Sequence, residues 1–261
     1  MITNIVSAEN SKIKLVRKLA NKKARDEEKL IVIEGINLVR EAIERLVGIK
    51  FILVSDKYEQ DDYLRRLIEE NRVEVCIVPE SIFDKIVDAE NGIGIVAVID
   101  KPAYELNNMD LSEQGNILVL DRVQDPGNIG TMIRTAVAAG YEMIITIKGT
   151  ADVYSAKVLR STAGMIFDIP IVQVDDAKSL NNLLKRFGKK VVVTTVDGGE
   201  TYFSQDLKHG IALIIGNEGN GVSDEILNLA DIRVTIPMKG EIESLNAAVS
   251  AAILMYEAIR E

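Results

Sequence analysis

Three stretches of the chain carry polar side chains where an apolar run is followed by a helical pattern, at residues 121–134, 214–226 and 236–259. The N-terminus of a helix presents backbone N–H groups that have no partner within the helix, and such groups bind ligands, anions in particular. The same order of apolar run, polar turn and helix thus occurs three times in the C-terminal half. We therefore predict that the three turns form one ligand-binding site.

The first stretch begins with turn chemistry. In the tetrapeptide DPGN, which ends at Asn128, proline presets φ and glycine is free to adopt φ > 0. We predict that Asn128 is the N-cap of a helix that ends at Gly140. Arg134 is the one long polar side chain on this small and apolar helix, which makes it a candidate for chemistry. The local pattern alone favours a helix cap with a solvated arginine.

The second stretch is rich in glycine. Gly216, Gly219 and Gly221 follow the order G-x-x-G-x-G, the reverse of the dinucleotide-binding fingerprint, which counts against a nicotinamide cofactor. A glycine-rich turn still permits a ligand to approach the backbone closely, and Glu218 within it is able to accept hydrogen bonds or pair with a cation. The alternative is an ordinary turn with Ser223 as the N-cap of the next helix.

The third stretch is the longest. Ser244 and Asn246 flank the predicted start of the last helix, shortly after the tripeptide IPM at residues 236–238. Capping is the commonest explanation for either side chain in this position. The helix itself is crowded with alanine and serine, which permits close packing against another helix or a partner subunit.

Composition excludes several classes of protein and of site. Cys76 is the only cysteine and His209 the only histidine among 261 residues, so an internal disulfide is impossible, and a His/Cys zinc site and most Cys-His or Ser-His nucleophile schemes are disfavoured. The longest apolar runs are too short to cross a bilayer, and the first ten residues lack the apolar core of a secretory signal. We expect a cytoplasmic protein without a bound metal.

Positive charge is concentrated at the N-terminus of an otherwise acidic chain, whose formal net charge is −9. Seven cations stand against the single acid Glu9 in the first 25 residues: Lys12, Lys14, Arg17, Lys18, Lys22, Lys23 and Arg25. The periodic apolar residues among them predict one basic amphipathic helix over residues 11–28. A solvated helix face and an RNA-binding arm that contacts phosphates explain this charge equally well.

The remaining pattern predicts an α/β fold with two domains. Apolar runs and helical segments alternate throughout, which favours largely parallel sheets covered by helices on both faces. In the N-terminal half we predict strands at 30–35, 50–55, 73–78 and 93–99 and helices at 36–46, 61–70 and 80–89. In the C-terminal half we predict strands at 116–121, 143–148, 170–174, 191–196, 211–216 and 231–237, with helices between them and after the last. A Pro-, Asn- and Ser-containing break at 101–115 separates domain 1–105 from domain 106–261.

Together the three turns resemble the signature motifs of the SpoU (TrmH) family within the SPOUT class of RNA ribose 2′-O-methyltransferases. The matching segments are DRVQDPGNIGTMIRTAVAAG, IIGNEGNGVS and IPMKGEIESLNAAVSAAILMYE, in the family's order. The resemblance covers residues 116–261. The N-terminal segment SAENSKIKLVRKLANKKARDEEKLIVIEG is similar to the RNA-binding α/β module of the family's members that modify ribosomal RNA.

This resemblance implies methyl transfer from S-adenosylmethionine to a ribose 2′-hydroxyl of 23S ribosomal RNA. It implies a homodimer formed through the C-terminal domain and a C-terminal trefoil knot, with neither DNA nor a membrane as partner. Carried over by position, the catalytic and substrate-positioning residues are Asn128, Arg134, Ser244 and Asn246. The cofactor-binding residues are Gly216, Ile236 and Leu245, largely through their backbone, supported by Glu218 and Met238.

Arg134 corresponds to the family's proposed activator of the hydroxyl. Because a guanidinium keeps its proton up to a pKa above ~12, we assign it the binding of the target's phosphate and the stabilisation of developing alkoxide charge. The proton acceptor stays open between a phosphate oxygen and water. The alternatives are a tRNA ribose as substrate, a non-catalytic RNA-binding module with the same fold and, weakened by the reversed glycine order, a nicotinamide-dependent oxidoreductase.

Overall fold

A computed structural model of the chain describes residues 2–58, 73–87, 94–106, 109–240, 242 and 244–260. The chain divides into two compact units. The first consists of Met1–Ala103 together with Asp152–Phe167, and the second of Tyr104–Ala151 and Asp168–Glu261. Sixteen consecutive residues from the C-terminal half of the sequence, Asp152–Phe167, therefore pack within the N-terminal unit.

The first unit is built on a mixed sheet. Its strands are β1 (Ile2–Asn4), β2 (Leu30–Glu34), β3 (Ile49–Ser55), β4 (Val75–Val78) and β5 (Ile95–Asp100), in the order β1-β4-β3-β5-β2. Strands β1, β4 and β3 are parallel, whereas β5 runs antiparallel to both β3 and β2. The apolar runs correctly predicted the buried strands from β2 to β5. They did not reveal the direction of β5, because burial on both faces looks the same in either direction.

The described helices of the first unit are α1 (Ser11–Lys18), α2 (Lys22–Glu28), α3 (Ile36–Glu44), α4 (Glu80–Phe83) and α6 (Ala156–Ser161). The prediction of one helix over residues 11–28 is wrong. Asn21 adopts an extended backbone, and its side chain accepts a hydrogen bond from the N–H of Lys23, so that a new helix begins at Lys22. An asparagine favours this capping geometry over a place inside a helix. The predicted helix at 61–70 lies outside the described residues.

The second unit is built on a parallel sheet. Its strands are β6 (Ile117–Asp121), β7 (Met143–Ile147), β8 (Ile171–Val174), β9 (Lys190–Thr194), β10 (Glu200–Thr201), β11 (Ile211–Gly216) and β12 (Ile232–Thr235), in the order β10-β12-β9-β11-β6-β7-β8. Every recorded pairing in this sheet is parallel, as the Val/Ile-rich runs predict. Its helices are α5 (Pro126–Ala138), α7 (Ala177–Arg186), α8 (Asp224–Leu227) and α9 (Ala247–Glu257).

Strand register brings the functional turns of the second unit together. Gly216, the last residue of β11, pairs with Asp121, the last residue of β6. The first and second stretches therefore leave the sheet side by side, at the carboxyl edge where α/β proteins bind ligands. The helix that follows the third stretch, α9, packs against α5 and β11. No helix within the described residues is long and apolar enough to span a membrane.

Candidate active site

The first stretch turns directly into helix α5. The cap of this helix is Asp125, whose Oδ1 accepts a hydrogen bond from the N–H of Asn128 at 2.8 Å, and Pro126 occupies the first turn, where its missing N–H costs nothing. The prediction that Asn128 is the N-cap is therefore wrong. Asn128 lies within the first turn of α5 with 9% of its surface exposed. Because its side chain does not cap the helix, its amide is able to contact residues outside the helix.

Glu218 on the second stretch binds the first stretch. Its Oε2 accepts a hydrogen bond from the N–H of Gln124, and its Oε1 accepts from the N–H of Asp125 and from Nδ2 of Asn128, each at 3.0 Å. Partial burial raises the pKa of the carboxyl, but these three hydrogen bonds outweigh it and the pKa lies below its ordinary value. Glu218 is thus a carboxylate whose lone pairs hold the loop before α5.

Asn246 on the third stretch completes the connection. Its Nδ2 donates to Oδ1 of Asn128 at 2.9 Å, and its Oδ1 accepts from the N–H groups of Ala248 and Val249 at 2.9 and 3.3 Å. The carboxylate of Glu218 only accepts hydrogen bonds, which fixes Asn128 with Nδ2 toward Glu218 and Oδ1 toward Asn246. One chain of hydrogen bonds therefore links all three stretches, and Asn246 is a helix cap and a member of this chain at once.

The glycines of the second stretch shape a narrow hairpin. Asn217 and Gly221 exchange backbone hydrogen bonds of 3.0 and 2.9 Å, and Gly221 has a φ of +66°. A Cβ placed on Gly216 would lie 2.2 Å from the backbone of Gly221, closer than any real contact. Glycine at 216 is therefore required for the two limbs of the hairpin to meet.

A cavity of about 500 Å³ lies beside this hairpin. Six of the predicted residues line it: Gly216, Glu218, Ile236, Met238, Ser244 and Leu245. The cavity is also lined by Thr194, the last residue of β9, by Thr195 and by Ser250 of α9, none of which was predicted from the sequence. The two threonines end an apolar strand, but β10 follows them and not an α-helix, so they do not share the pattern of the other three turns.

Ser223 has a different role from the one its position suggests. It begins α8 as expected, but its side chain makes no capping hydrogen bond within that helix. Both its N–H and its Oγ donate to Oδ2 of Asp121 at 2.7 Å. Asp121 is 1% exposed, so this pair closes the hairpin against the end of β6.

Arg134 is separate from the cavity lining and from the chain of hydrogen bonds. It lies six residues after Asn128 on α5, which corresponds to about 9 Å along the helix axis, and its side chain is exposed. Within the described part of the chain, no hydrogen bond or ion pair of Arg134 is recorded. The structure therefore brings Asn128 and Asn246 together and leaves Arg134 on the outer face of the same helix.

The predicted RNA-binding residues lie on α1 and α2 of the first unit. Four of them form ion pairs at the surface: Lys12 with Glu74, Lys14 with Glu9, Lys18 with Glu28 and Lys23 with Glu27. The pairs of Lys14, Lys18 and Lys23 are exposed and contribute little to stability, so a phosphate is able to replace their carboxylates, whereas the side chain of Lys12 is half-buried. Arg17 and Lys22 are exposed as well.

Arg25 differs from the other six. It is 6% exposed, and its Nη1 donates to the carbonyl oxygens of Leu19 and Ala20 at 2.6 and 2.8 Å while its Nη2 pairs with Asp152. The guanidinium ties the end of α1 to α2 and to the returning segment Asp152–Phe167. Both Nη groups therefore bind within the unit and the guanidinium is buried, so we leave Arg25 out of the RNA-binding surface.

Comparison with known proteins places this geometry among RNA methyltransferases. Residues 115–256 match the model of the SpoU rRNA Methylase family, and residues 10–97 match the MRM3-like substrate binding domain. The chain is 38% identical over 252 residues to the 23S rRNA (guanosine(2553)-2'-O)-methyltransferase RlmP of Bacillus subtilis, covering 97% of both chains. It is 32% identical over 247 residues to the 23S rRNA (uridine(2479)-2'-O)-methyltransferase of Streptomyces viridochromogenes, covering 92% of this chain and 85% of the other.

Solved structures agree with these relatives. An AdoMet-bound rRNA methyltransferase from Sinorhizobium meliloti superimposes with a TM-score of 0.86 at 31% identity, covering 98% of this chain and 97% of that one. The SpoU methyltransferase AviRb of Streptomyces viridochromogenes, in complex with AdoMet, superimposes with a TM-score of 0.88 at 29% identity, covering 96% and 97%. The likeness extends over both units.

Proposed function

Since the chain belongs to the SpoU rRNA methylase family, we propose that it transfers a methyl group from S-adenosylmethionine to a ribose 2′-hydroxyl of 23S ribosomal RNA. The observation that carries this proposal is the chain of hydrogen bonds from Glu218 through Asn128 to Asn246, which ties the first stretch to a cavity lined by the second and third stretches. Its amides are oriented before any substrate arrives, as transfer between two bound partners requires.

The cavity suits S-adenosylmethionine in size and chemistry. Its volume of about 500 Å³ lies within the range of small-molecule sites. Ile236, Met238 and Leu245 supply apolar surface for the adenine ring, and the backbone of Gly216 and its hairpin supplies donors and acceptors for the polar groups. When bound, the cofactor would supply a methyl group on a sulfonium; an oxygen nucleophile attacks such a methyl carbon and S-adenosylhomocysteine leaves, which requires neither a metal nor a nucleophilic side chain.

The protein's own groups orient the ribose. Asn128 uses one N–H of its amide for Glu218 and one lone pair for Asn246, so a second N–H and a second lone pair remain for a substrate hydroxyl. Ser244 is exposed and lines the cavity, which places its hydroxyl at the boundary between cofactor and ribose. These side chains hold the 2′-oxygen in line with the methyl group, and the proton leaves to a phosphate oxygen or to water.

Arg134 acts on the substrate in a homodimer. Three large apolar residues on or just after α9 are exposed in the single chain: Val249, Tyr256 and Ile259, at 48, 49 and 50%. Because α9 packs against α5, which carries the exposed Arg134, a second copy that covers α9 brings its own cavity toward this arginine. There the guanidinium binds the target's phosphate and stabilises charge on the attacking oxygen.

The first unit selects the RNA. Its match to a substrate-binding domain supports phosphate binding by the cations of α1 and α2, all of which are exposed except the half-buried Lys12: Lys12, Lys14, Arg17, Lys18, Lys22 and Lys23. The proposal also includes a C-terminal trefoil knot, which the packing of α9 against α5 and β11 supports. It further includes action in the cytoplasm, where ribosomal RNA is made and assembled.

The decisive experiment is methylation mapping. RNA from cells that lack the gene is incubated with the protein and labelled S-adenosylmethionine, and 2′-O-methylated positions are then mapped. We expect one labelled ribose in 23S RNA and none after Arg134→Ala, with cofactor affinity retained in that variant. Label in tRNA alone would establish the tRNA alternative. The absence of binding heat with S-adenosylmethionine and S-adenosylhomocysteine would establish the non-catalytic RNA-binding module.

A further inference from the structure

Residues Asp152–Phe167 complete the RNA-binding unit, although by sequence they fall inside the segment that matches the methylase family. Apolar side chains of this segment are buried in the unit: Val153, Tyr154, Val158, Leu159 and Ile166. Helix α6 within it packs against β2. The substrate-binding unit is therefore built from two parts of the chain, and the second part lies beyond the matched substrate-binding domain at residues 10–97.

Charged groups hold the start of this returning segment and the end of α6 within it. At its start, Asp152 pairs with Arg25 of α2, and the Nζ of Lys101 lies 5.1 Å above the ring of Tyr154. At the other end of α6, Nη1 of Arg160 lies 3.1 Å from Oε2 of Glu34, the last residue of β2. Helix α6 thus runs along β2 from α2 toward the end of the strand.

These contacts leave two lysines without a carboxylate partner. The acids nearby are already paired, Asp26 with Lys101, Asp152 with Arg25 and Glu34 with Arg160. Lys29, directly before β2, and Lys157, in the first turn of α6, are exposed. Neither forms a recorded ion pair within the described ranges of the chain.

Lys29 also occupies an unfavourable backbone conformation. It ends α2 with a φ of +56° and a ψ of +32°, a left-handed position that favours glycine or asparagine. Its carbonyl oxygen accepts a hydrogen bond of 2.9 Å from the N–H of Lys101, whose side chain reaches Tyr154. The strained lysine and the returning segment are therefore neighbours through Lys101.

We propose that Lys29 and Lys157 bind phosphates of the substrate RNA, so that the RNA-binding surface is shared between α2 and the methylase-derived helix α6. The inference rests on the proposed function, because it takes RNA as the substrate. It adds to the six cations of α1 and α2 a contact that the methylase half of the chain itself provides. Each lysine acts as a point charge, and the contact carries no sequence preference.

The test compares Lys29→Gln, Lys157→Gln and the double variant with Lys85→Gln in the full-length protein. Lys85 is an exposed lysine near α4 of the same unit, which makes it a matched control. Binding of 23S RNA fragments is measured from 50 to 300 mM salt, with methyl-transfer KM and kcat. We expect several-fold weaker binding, a higher KM with kcat unchanged, and a salt slope smaller by roughly 0.7 to 0.9 for each lost contact. Lys85→Gln should change none of these.

A further variant separates strain from charge. Lys29→Gly relieves the left-handed backbone, so we expect its melting temperature to rise while its RNA affinity falls. If the Lys29 and Lys157 variants have the same salt slopes and KM as the wild-type protein, the inference is wrong. The proposed function still holds in that case, provided that the wild-type protein methylates RNA. If the wild-type protein neither binds nor methylates RNA, the proposed function fails first, and the inference falls with it.

Discussion

Nδ2 of Asn246 donates a hydrogen bond of 2.9 Å to Oδ1 of Asn128, a residue 118 positions earlier in the chain. The same Asn128 amide donates to Glu218, 90 positions later. The two ends of one side-chain amide thereby fix two helix starts and a hairpin relative to one another. The behaviour of this contact under substitution is the most direct probe of the site.

Removing either asparagine should have nearly the same effect as removing both. Asn128→Ala and Asn246→Ala each leave the remaining amide misoriented, and a small displacement of an orienting group lowers kcat about 100-fold. Because the two amides act as a unit, we expect the double variant to be little worse than either single one. Steady-state kinetics test this, with the exposed Asn182→Ala as control. If the fold-loss of kcat in the double variant equals the product of the losses in the two single variants, the two asparagines do not act as a unit.

Glu218→Gln should weaken the site most at neutral pH. The folded-state pKa of Glu218 lies below its ordinary value of 4.5, so its carboxylate contributes stability that is present above pH 4.5 and is lost as pH falls through the lowered pKa. A glutamine turns an NH₂ toward the donors of Gln124, Asp125 and Asn128. We expect the difference in unfolding free energy between wild type and variant to shrink between pH 6 and pH 3. Urea titrations measure it, and a difference independent of pH would exclude this account.

Gly216→Ala should disrupt the cavity wall. The added methyl group would collide with the backbone of Gly221 and Val222 at 2.2 to 2.3 Å, and overpacking of this kind costs about 1–3 kcal/mol. We expect a lower melting temperature and at least tenfold weaker binding of S-adenosylmethionine by calorimetry. Gly219→Ala is the matched control in the same hairpin, since its Cβ would lie 3.7 Å from Oδ1 of Asn217, in ordinary contact. Equal melting temperatures and cofactor affinities of the two variants would show that the hairpin backbone moves to accommodate the methyl group.

Mixing two inactive variants should restore activity if Arg134 serves the cavity of a partner subunit. Dimers of Arg134→Ala with Asn128→Ala contain one intact site, so a 1:1 mixture after subunit exchange should regain about a quarter of wild-type activity. Tyr256→Glu, which places a charge on the exposed face of α9, should yield a monomer in sedimentation velocity and abolish methyl transfer. An active monomer would contradict the homodimer.

The buried ion pair of the first unit should be a large contributor to its stability. Arg25 and Asp152 have side chains only 8 and 16% exposed, and removing one partner of such a pair costs about 3–5 kcal/mol because the other charge stays buried. We expect Arg25→Gln to lower the urea midpoint strongly. Lys23→Gln, in a pair whose lysine is 85% exposed, should cost less than ~0.5 kcal/mol. Similar midpoints for the two variants would refute a structural role for Arg25.

Several features of this protein can be predicted from its amino-acid sequence. The Val/Ile runs predicted the buried strands of both sheets, because strands covered on two faces need continuous apolar sequence. The three motifs identified the SpoU family, which the comparisons confirm. Six residues that line the cavity, from Gly216 to Leu245, were predicted through the resemblance to the family, whereas Thr194, Thr195 and Ser250 were not predicted.

Other features depended on the fold. Asn128 was expected to cap α5, since an asparagine after DPG is as typical of a helix cap as of a functional site. Its amide has other partners only because the fold brings Glu218 and Asn246 next to it. Arg25 counted as one positive charge among seven in the sequence, and its burial against Asp152 follows from the return of residues 152–167 to the first unit. The sequence by itself thus determined the family, the strands and the types of the site residues, because these follow from local pattern and composition. Partners 90 to 127 residues apart were decided by the tertiary structure alone, since sequence spacing carries no information about which distant side chains meet.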